Sequence, residues 1–455
     1  MVTSGPVTIG FDDVSLDRAG RMSVSLWPGA ADCPVFTYWF PLLCWLSPET
    51  MRPASLAALA SERFVYPVEL RYEAPEWCAD ASADEPLAAL APAVQRAVTE
   101  RRALIVMSSA HEGLSHYKPG SLYSGLLLDR LAAFARWYGL SADQLWYVSG
   151  NLDAAAEVRD WCRDRNLAAA PFTLRVCEPF SAFVGACTRE SMRRRRAPAV
   201  RTWSARRGPS RIGWQSSQVS WLPYEFPGLA EHPAAEPARF RYACLNRMLR
   251  AHRWQVLTRI WQEGLLSDGL VSFPRPSFED MEDRGIDGST ATARQLVELL
   301  PLSVDGEQRF NDDSFFSDNS SYIRLHPRDI LRECAMEIVT ETQNTEHRFV
   351  SEKTFKALLG RGPAAVVGPR GVLAYLRSLG VQTWPDELDE AYDEIPEADG
   401  RLAAALDSAV ACARRPGWAS ADSRAARAGN LRWLTEAHKP WDDLTRELAE
   451  TLRQL

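Results

Sequence analysis

The sequence predicts an α/β protein with two doubly wound domains and a C-terminal helical segment. Short apolar segments alternate with amphipathic segments in both halves of the chain, and an irregular, proline-rich stretch separates the halves. Strands that alternate with helices form parallel sheets, because each connection between parallel strands has to cross back over the sheet. The length of 455 residues favours two domains, since a single hydrophobic core stops growing beyond about 250–300 residues.

The N-terminal half, residues 1–235, is predicted as the first domain. Its short apolar runs predict buried strands. The helical segment that follows the first run has leucines on one face and ends at Gly139. In chain order, the predicted elements are a strand at 103–107, a helix at 121–138, a strand at 145–149, a helix at 153–165 and a strand at 172–176.

The stretch between the halves, residues 190–237, has no clear period and contains many prolines. We predict a long loop that includes the interdomain linker. Its basic run, Arg193–Arg196 with further arginines up to Arg207, is either a solvated loop or a nucleic-acid patch. The net charge of -7 argues against a general polyanion binder, because nucleic-acid affinity depends on many cationic contacts with phosphate. No nucleic-acid partner is therefore predicted, and the role of residues 193–207 stays open.

The second half, residues 236–400, repeats the α/β alternation and is predicted as the second domain. Residues 401–455 are rich in Ala, Arg and Leu and predict helices that pack across both domains. The predicted elements are strands at 240–245, 270–273, 337–340, 364–367 and 381–384, and helices at 247–263, 291–300, 352–359 and 371–379.

The cysteines and the apolar segments indicate the cellular compartment of the protein. The nine cysteines are scattered without zinc-site spacing, and their odd number favours free thiols in a reducing compartment. The N-terminus lacks the basic and apolar regions of a secretory signal, and the longest apolar stretch, 34–46, is too short for a transmembrane helix. We expect a cytoplasmic protein with no transmembrane segment and no bound metal.

The segment 337–356 has the richest set of candidate site residues, in the form strand, polar loop, helix. Ser351 is a suitable N-cap, which places Glu352 and Lys353 in the first helical turn. Free N–H groups and a lysine at such a junction attract phosphate, and a carboxylate can accept hydrogen bonds from both hydroxyls of a ribose. Glu341 ends the preceding strand and is expected to face the same space. From spacing alone, ordinary solvated first-turn charges are an equally good interpretation.

Several segments of the second half together resemble a known family. They are residues 349–356, with Ser-Glu-Lys at the helix start, followed by 362–368, 376–384 and 389–395. The set resembles the donor-binding half of GT-B glycosyltransferases related to the exostosin and α-1,3-fucosyltransferase families of bacteria and phages. The resemblance covers roughly residues 241–401 and implies two Rossmann-like domains around a cleft. It also implies a UDP- or GDP-linked sugar as co-substrate, with no bound cofactor.

The resemblance assigns expected roles to individual donor-site residues. Residues 244–253 resemble the first strand–helix turn of the donor half, where a basic residue contacts the donor phosphates. This role is expected of Arg247, with Arg250 as the second choice. Glu352 would bind the ribose and Lys353 the diphosphate. The residues expected near the donor sugar are Thr340, Glu341 and Asn344.

The N-terminal half resembles the same family only weakly, at residues 108–113 and 149–151. An inverting transferase needs a carboxylate or a histidine that deprotonates the acceptor hydroxyl. Glu112 is the expected base and His111 the second choice. A helix cap for Glu112 and a loop hydrogen bond for His111 are the alternatives. The acceptor, whether glycan, natural product or peptide, stays open, as does inverting versus retaining chemistry.

Two other functions are compatible with this sequence. A sugar-nucleotide epimerase of the same fold would bind the donor but need no acceptor. A non-catalytic partner protein would bind the donor without turnover. Asp312 and Asp313 resemble a metal-binding acidic pair, but they lie in a polar segment and are interpreted as solvated.

Overall fold

The structure is a computed structural model, and its description covers part of the chain. The described residues are 6–11, 13–16, 22–25, 50–70, 90–110, 113, 117, 126–182, 184, 185, 188, 204–206, 216–219, 238–246, 248–302, 333–344, 347–415, 421–436 and 439–455. Within these ranges, no helix has both the length and the apolar character needed to cross a membrane.

Strands and helices are numbered here in chain order. The strands are β1 (Val7–Phe11), β2 (Asp13–Leu16), β3 (Met22–Ser25), β4 (Met51–Ser55), β5 (Phe64–Glu69), β6 (Ala103–Ser109), β7 (Leu145–Ser149), β8 (Thr173–Val176), β9 (Ser204–Arg206), β10 (Ser216–Val219), β11 (Phe240–Leu245), β12 (Gly269–Ser272), β13 (Cys334–Thr340) and β14 (Ala364–Val367). The α-helices are α1 (Pro92–Thr99), α2 (Leu126–Trp137), α3 (Ala154–Asp164), α4 (Ala251–Gln262), α5 (Phe278–Asp283), α6 (Ala291–Leu299), α7 (Glu352–Ala357), α8 (Val372–Ser378), α9 (Ala398–Arg414), α10 (Ala421–Glu436) and α11 (Lys439–Gln454).

A six-stranded parallel sheet forms the core of the N-terminal half, in the order β4-β1-β5-β6-β7-β8. Strands β6 and β7 are buried along their whole length, as expected for a sheet covered on both faces. The strand order changes direction beside β1, because β4 lies on one side of it and all later strands lie on the other. The sheet is therefore doubly wound, in agreement with the predicted fold class.

The second half contains a four-stranded parallel sheet in the order β12-β11-β13-β14. Its direction changes between β11 and β13. In doubly wound sheets, ligands bind outside the carboxyl ends of the strands at such a switch point. The carboxyl ends of β11 and β13 are followed by Asn246 and Glu341, so a ligand site is expected at this edge.

The C-terminal helices contact both halves. Helix α9 packs on β14, β11 and α4, whereas α11 packs on β1 and β5 of the first sheet. The Arg63 guanidinium donates from Nη1 to the Leu452 carbonyl oxygen at 3.1 Å, which ties the last turns of α11 to the N-terminal half. The end of the chain is thus joined to the N-terminal sheet.

Some observed features differ from the predicted elements. Strands β9 and β10 lie within the stretch predicted as loop, where they form an antiparallel sheet with β2 and β3. Helix α5 lies in a region predicted as irregular apart from one helix, and a capping box at Ser277 begins it. The predicted strand at 381–384 is wrong. There, the Asn430 side chain accepts from Gln382 N and donates to Gln382 O, both at 2.8 Å. The backbone of Gln382 therefore bonds to a side chain of α10 and not to a neighbouring strand.

Candidate functional site

The carboxyl-end loops of the two sheets contact each other. A backbone hydrogen bond joins the loop after β7 to the loop after β13: Leu152 N donates to Arg348 O at 2.9 Å. The Arg348 guanidinium donates to Asp153 Oδ1 from Nη2 at 2.6 Å and from Nε at 3.0 Å. The ring of Phe349 packs edge-on against Phe180, with 5.9 Å between ring centroids. Loops from both halves therefore meet at one junction.

Gly113 contacts this junction from the loop after β6. A Cβ atom at Gly113 would lie 2.3 Å from Cβ of Phe349, far closer than van der Waals contact allows. We expect Gly113→Ala to lower the free energy of unfolding by about 1–3 kcal/mol, the usual cost of overpacking. Urea unfolding followed by tryptophan fluorescence would measure the loss.

Gly400 provides the matched control for this substitution. It lies in helix α9, and a Cβ atom there would meet only ordinary contacts, at 3.5 Å from Ile395. Gly400→Ala should be neutral or slightly stabilising, since alanine favours a helix interior by about 1 kcal/mol over glycine. Equal unfolding midpoints for wild type and Gly113→Ala would contradict the packing at Phe349.

The Glu341 carboxylate organises the start of α7 and is fully buried. Its Oε1 accepts from Ser351 N at 3.0 Å and from Thr354 Oγ1 at 2.6 Å. Its Oε2 accepts from Ser351 Oγ at 2.6 Å and from Thr342 N at 3.2 Å. Glu341 and Ser351 are thus neighbours, but the Ser351 N–H is already satisfied. The first turn of α7 offers fewer free N–H groups than the sequence suggested.

Glu352 and Lys353 form an ion pair at the start of α7, with 3.3 Å between Lys353 Nζ and Glu352 Oε1. Burial alone would raise the pKa of Glu352, but Lys353 and Lys356 outweigh it and lower that pKa. Lys353 Nζ also donates to Ser351 Oγ at 3.0 Å and to Thr342 Oγ1 at 3.2 Å. The side chain of Lys353 keeps 30 % of its exposure, so its ammonium can still reach a ligand.

Helix α4 adds basic side chains to the same edge. His252 Nε2 lies 2.9 Å from the Glu341 carbonyl oxygen, and Arg253 Nη2 donates to that oxygen at 3.2 Å. Burial and the neighbouring Arg253 lower the pKa of His252 to about 4, and burial and Arg250 lower the pKa of Arg253 to about 10. Arg250 Nε is buried and has no hydrogen-bond partner in the described part of the chain. We call Arg250, Arg253 and Lys353 the basic cluster.

The basic cluster is only partly neutralised. Glu341 and Glu352 are the carboxylates that act on Arg253, and Arg250 and Lys353 both depress the pKa of His252. His252 is neutral near pH 7 and contributes no charge. Among the groups that act on Arg253 and His252, three cations thus stand beside two carboxylates, which leaves an excess of positive charge around these two residues.

Two further predicted residues connect strands at this edge. Thr340 Oγ1 donates to Asn246 Oδ1 at 2.5 Å, which joins the ends of β13 and β11. Asn344 Oδ1 accepts from Arg401 Nη2 at 3.5 Å, and Arg401 Nε donates to the Gly368 carbonyl oxygen after β14. These two residues lie at the same end of the sheet as Glu341.

The other predicted residues, His111, Glu112 and Arg247, lie outside the described residues. Their immediate neighbours are described on both sides. Gly113 packs on Phe349, and Asn246 bonds to Thr340. Among the described residues, no group of three or more His, Cys, Asp and Glu side chains is arranged to hold a metal ion.

Two titratable residues at the junction were missed by sequence reasoning. His347 Nδ1 lies 2.8 Å from Glu157 Oε1, and the two residues come from different halves of the chain. Glu178, which follows β8, is buried and lies close enough to Glu341 for the two carboxylates to repel. His347 lies in the segment that carried the predicted site, but nothing in the sequence indicated a partner so distant along the chain.

Comparisons with known proteins give no family for this chain. No protein-family model matches it, and neither a curated protein nor a solved structure is significantly similar to it.

Proposed function

We propose that this protein is a GT-B glycosyltransferase that moves a sugar from a nucleotide-diphosphate sugar to an acceptor hydroxyl. The observation that carries the proposal is the basic cluster, which lies at the switch point of the second sheet, in a half of the chain whose loop after β13 contacts the loop after β7 of the other half. Two doubly wound sheets with their carboxyl ends in contact form a cleft in which two substrates can meet.

The chemistry of the basic cluster suits a diphosphate leaving group. A departing nucleoside diphosphate carries negative charge, and fixed cations that face it lower the barrier to its departure. Arg250 has a buried Nε without a partner among the described residues, and Lys353 has a partly exposed ammonium. The N-terminus of the twelve-residue helix α4 has no side-chain cap and adds its partial positive charge to the same position.

The arrangement around α7 supports the assignment of the ribose to Glu352. Its lowered pKa keeps the carboxylate ionised at neutral pH, so both oxygens can accept hydrogen bonds. Glu341 does not contact the ligand in this proposal, because both of its carboxylate oxygens already accept hydrogen bonds from Thr342, Ser351 and Thr354. Its role is to hold Ser351 and Lys353 in place.

We expect Arg250→Ala and Lys353→Ala each to weaken UDP or GDP binding about 10-fold or more. A hydrogen bond between charged groups contributes about 1.5–3 kcal/mol, and about 1.4 kcal/mol corresponds to a factor of ten. Calorimetric titration of the wild type and both variants with UDP, GDP and TDP measures the effect and identifies the base that is preferred.

Arg163→Ala is the control, because Arg163 is an exposed arginine that pairs with Asp160 on α3, in the other half of the chain. It should bind the nucleotides as the wild type does. The proposal fails if no nucleotide binds to the wild type, or if both cluster variants bind with unchanged affinity. Incubation with the donor sugar alone, followed by analysis of the sugar product, separates this activity from that of an epimerase.

A further inference from the structure

His347 lies at the junction of the two halves, in the same loop that leads into α7. The next residue, Arg348, is bonded to Leu152 and Asp153 of the loop after β7. On its other side, the chain leads back to Glu341 and the basic cluster. His347 therefore belongs to the segment that joins the end of β13 to α7, at the point where that segment contacts the N-terminal half.

Glu157 fixes the orientation of the His347 ring. Its carboxylate accepts from Asn151 Nδ2 at Oε1 and from Tyr117 N at Oε2, both at 3.0 Å. Both oxygens thus serve as acceptors, so the 2.8 Å contact with His347 is donated by Nδ1–H. A neutral imidazole with its proton on Nδ1 has its lone pair on Nε2.

The second ring nitrogen of His347, Nε2, is the candidate proton acceptor. The His347 side chain is nine-tenths buried, and Nε2 has no hydrogen-bond partner in the described part of the chain. A buried acceptor without a partner costs about 1–3 kcal/mol. A histidine with one nitrogen held by a carboxylate and the other free is the arrangement used for general-base catalysis.

We propose that His347, oriented by Glu157, is the general base that deprotonates the acceptor in the glycosyl transfer; this inference rests on the proposed function. The acceptor hydroxyl gives its proton to His347 Nε2 while its oxygen forms a bond to the anomeric carbon. The bond from that carbon to the diphosphate breaks, and the nucleoside diphosphate leaves with the electron pair. Glu157 is a positioning residue that holds the tautomer.

The test compares His347→Asn with the wild type. Asparagine places an N–H group near the position of Nδ1, so it can keep the contact with Glu157 while it removes Nε2. The probes are UDP-glucose, UDP-N-acetylglucosamine, GDP-mannose and GDP-fucose, with water or glycerol as acceptor. Calorimetry gives donor affinity, and a coupled assay gives the rate of UDP or GDP release. We expect unchanged affinity and a release rate about 100- to 10,000-fold lower.

Two further variants separate catalysis from structure. Asp153→Asn weakens the neighbouring ion pair with Arg348 without changing His347 or Glu157, and it should change the release rate only a few-fold. Glu157→Gln should keep donor affinity but lower the release rate, because glutamine no longer favours one tautomer of His347. Loss of donor affinity in parallel with the rate in Glu157→Gln would indicate a merely structural role.

The outcomes distinguish the two proposals. A wild-type release rate in His347→Asn overturns the role of His347 and leaves the transferase intact. An equal loss in His347→Asn and Asp153→Asn overturns it as well, because docking of the loop would explain both. Absence of donor binding in the wild type, or binding without release from any donor, overturns the proposed function and this inference with it.

Discussion

Glu341→Ala is expected to lower the free energy of unfolding of the protein by about 3–5 kcal/mol. The carboxylate is fully buried and accepts four hydrogen bonds, two of them from Ser351. Removal of one partner from a buried charged network leaves its donors without acceptors, which accounts for a loss of this size. The Ser351 N–H cannot turn to another acceptor, since it is fixed at the cap of α7. Urea unfolding followed by circular dichroism would measure the midpoint and slope.

Two milder substitutions should lower the free energy of unfolding by smaller amounts. Glu341→Gln keeps one carbonyl oxygen as an acceptor and should lose less than Glu341→Ala. Thr354→Val removes a single hydrogen bond, at 2.6 Å from Glu341 Oε1, and should lose about 1–2 kcal/mol. The organising role of Glu341 is refuted if Glu341→Ala unfolds at the wild-type urea midpoint.

The elements predicted well from the sequence are the ones whose own residues decide their structure. Strands 240–245 and 364–367 are observed with the predicted bounds. The second is buried along its whole length, as a short apolar run between turn residues predicts. The segment 381–384 is also partly apolar, but its backbone groups bond to Asn430. A side chain so far along the chain has no signature in the local sequence.

In the candidate site too, some contacts follow from the local sequence and others depend on residues far along the chain. The proximity of Glu341 and Ser351 follows from local rules, since one ends a strand and the other caps the next helix. Helix α4 begins at Ala251 instead of at 247, because Arg250 is extended, with φ at -148°. The pair of His347 and Glu157 depends on how the loops of the two halves meet, and no periodicity encodes that contact.

The second large effect concerns pH and Glu178. Burial raises the pKa of this carboxyl to about 8, and the nearby Glu341 carboxylate adds to the rise. Its Oε1 accepts from the N–H groups of Phe180 and Ser181, while Oε2 has no partner within the described ranges. Folding therefore favours the protonated form. The associated stability is fully present below the unfolded pKa of about 4.3 and is lost as the pH rises through about 8.

Glu178→Gln should consequently stabilise the protein increasingly as the pH rises towards 8 and leave it unchanged below about pH 4. Glutamine keeps the acceptor for Phe180 and Ser181 but carries no charge, so the gain above pH 8 should be on the order of 2–4 kcal/mol. Urea unfolding of both proteins between pH 5 and 9 gives the difference, in which the shared contributions of Glu337 and His252 cancel. Glu282→Gln, at an exposed position of α5, is the control and should follow the wild type. A constant difference between Glu178→Gln and wild type across this range would mean that Glu178 is ionised throughout, in conflict with its burial beside Glu341.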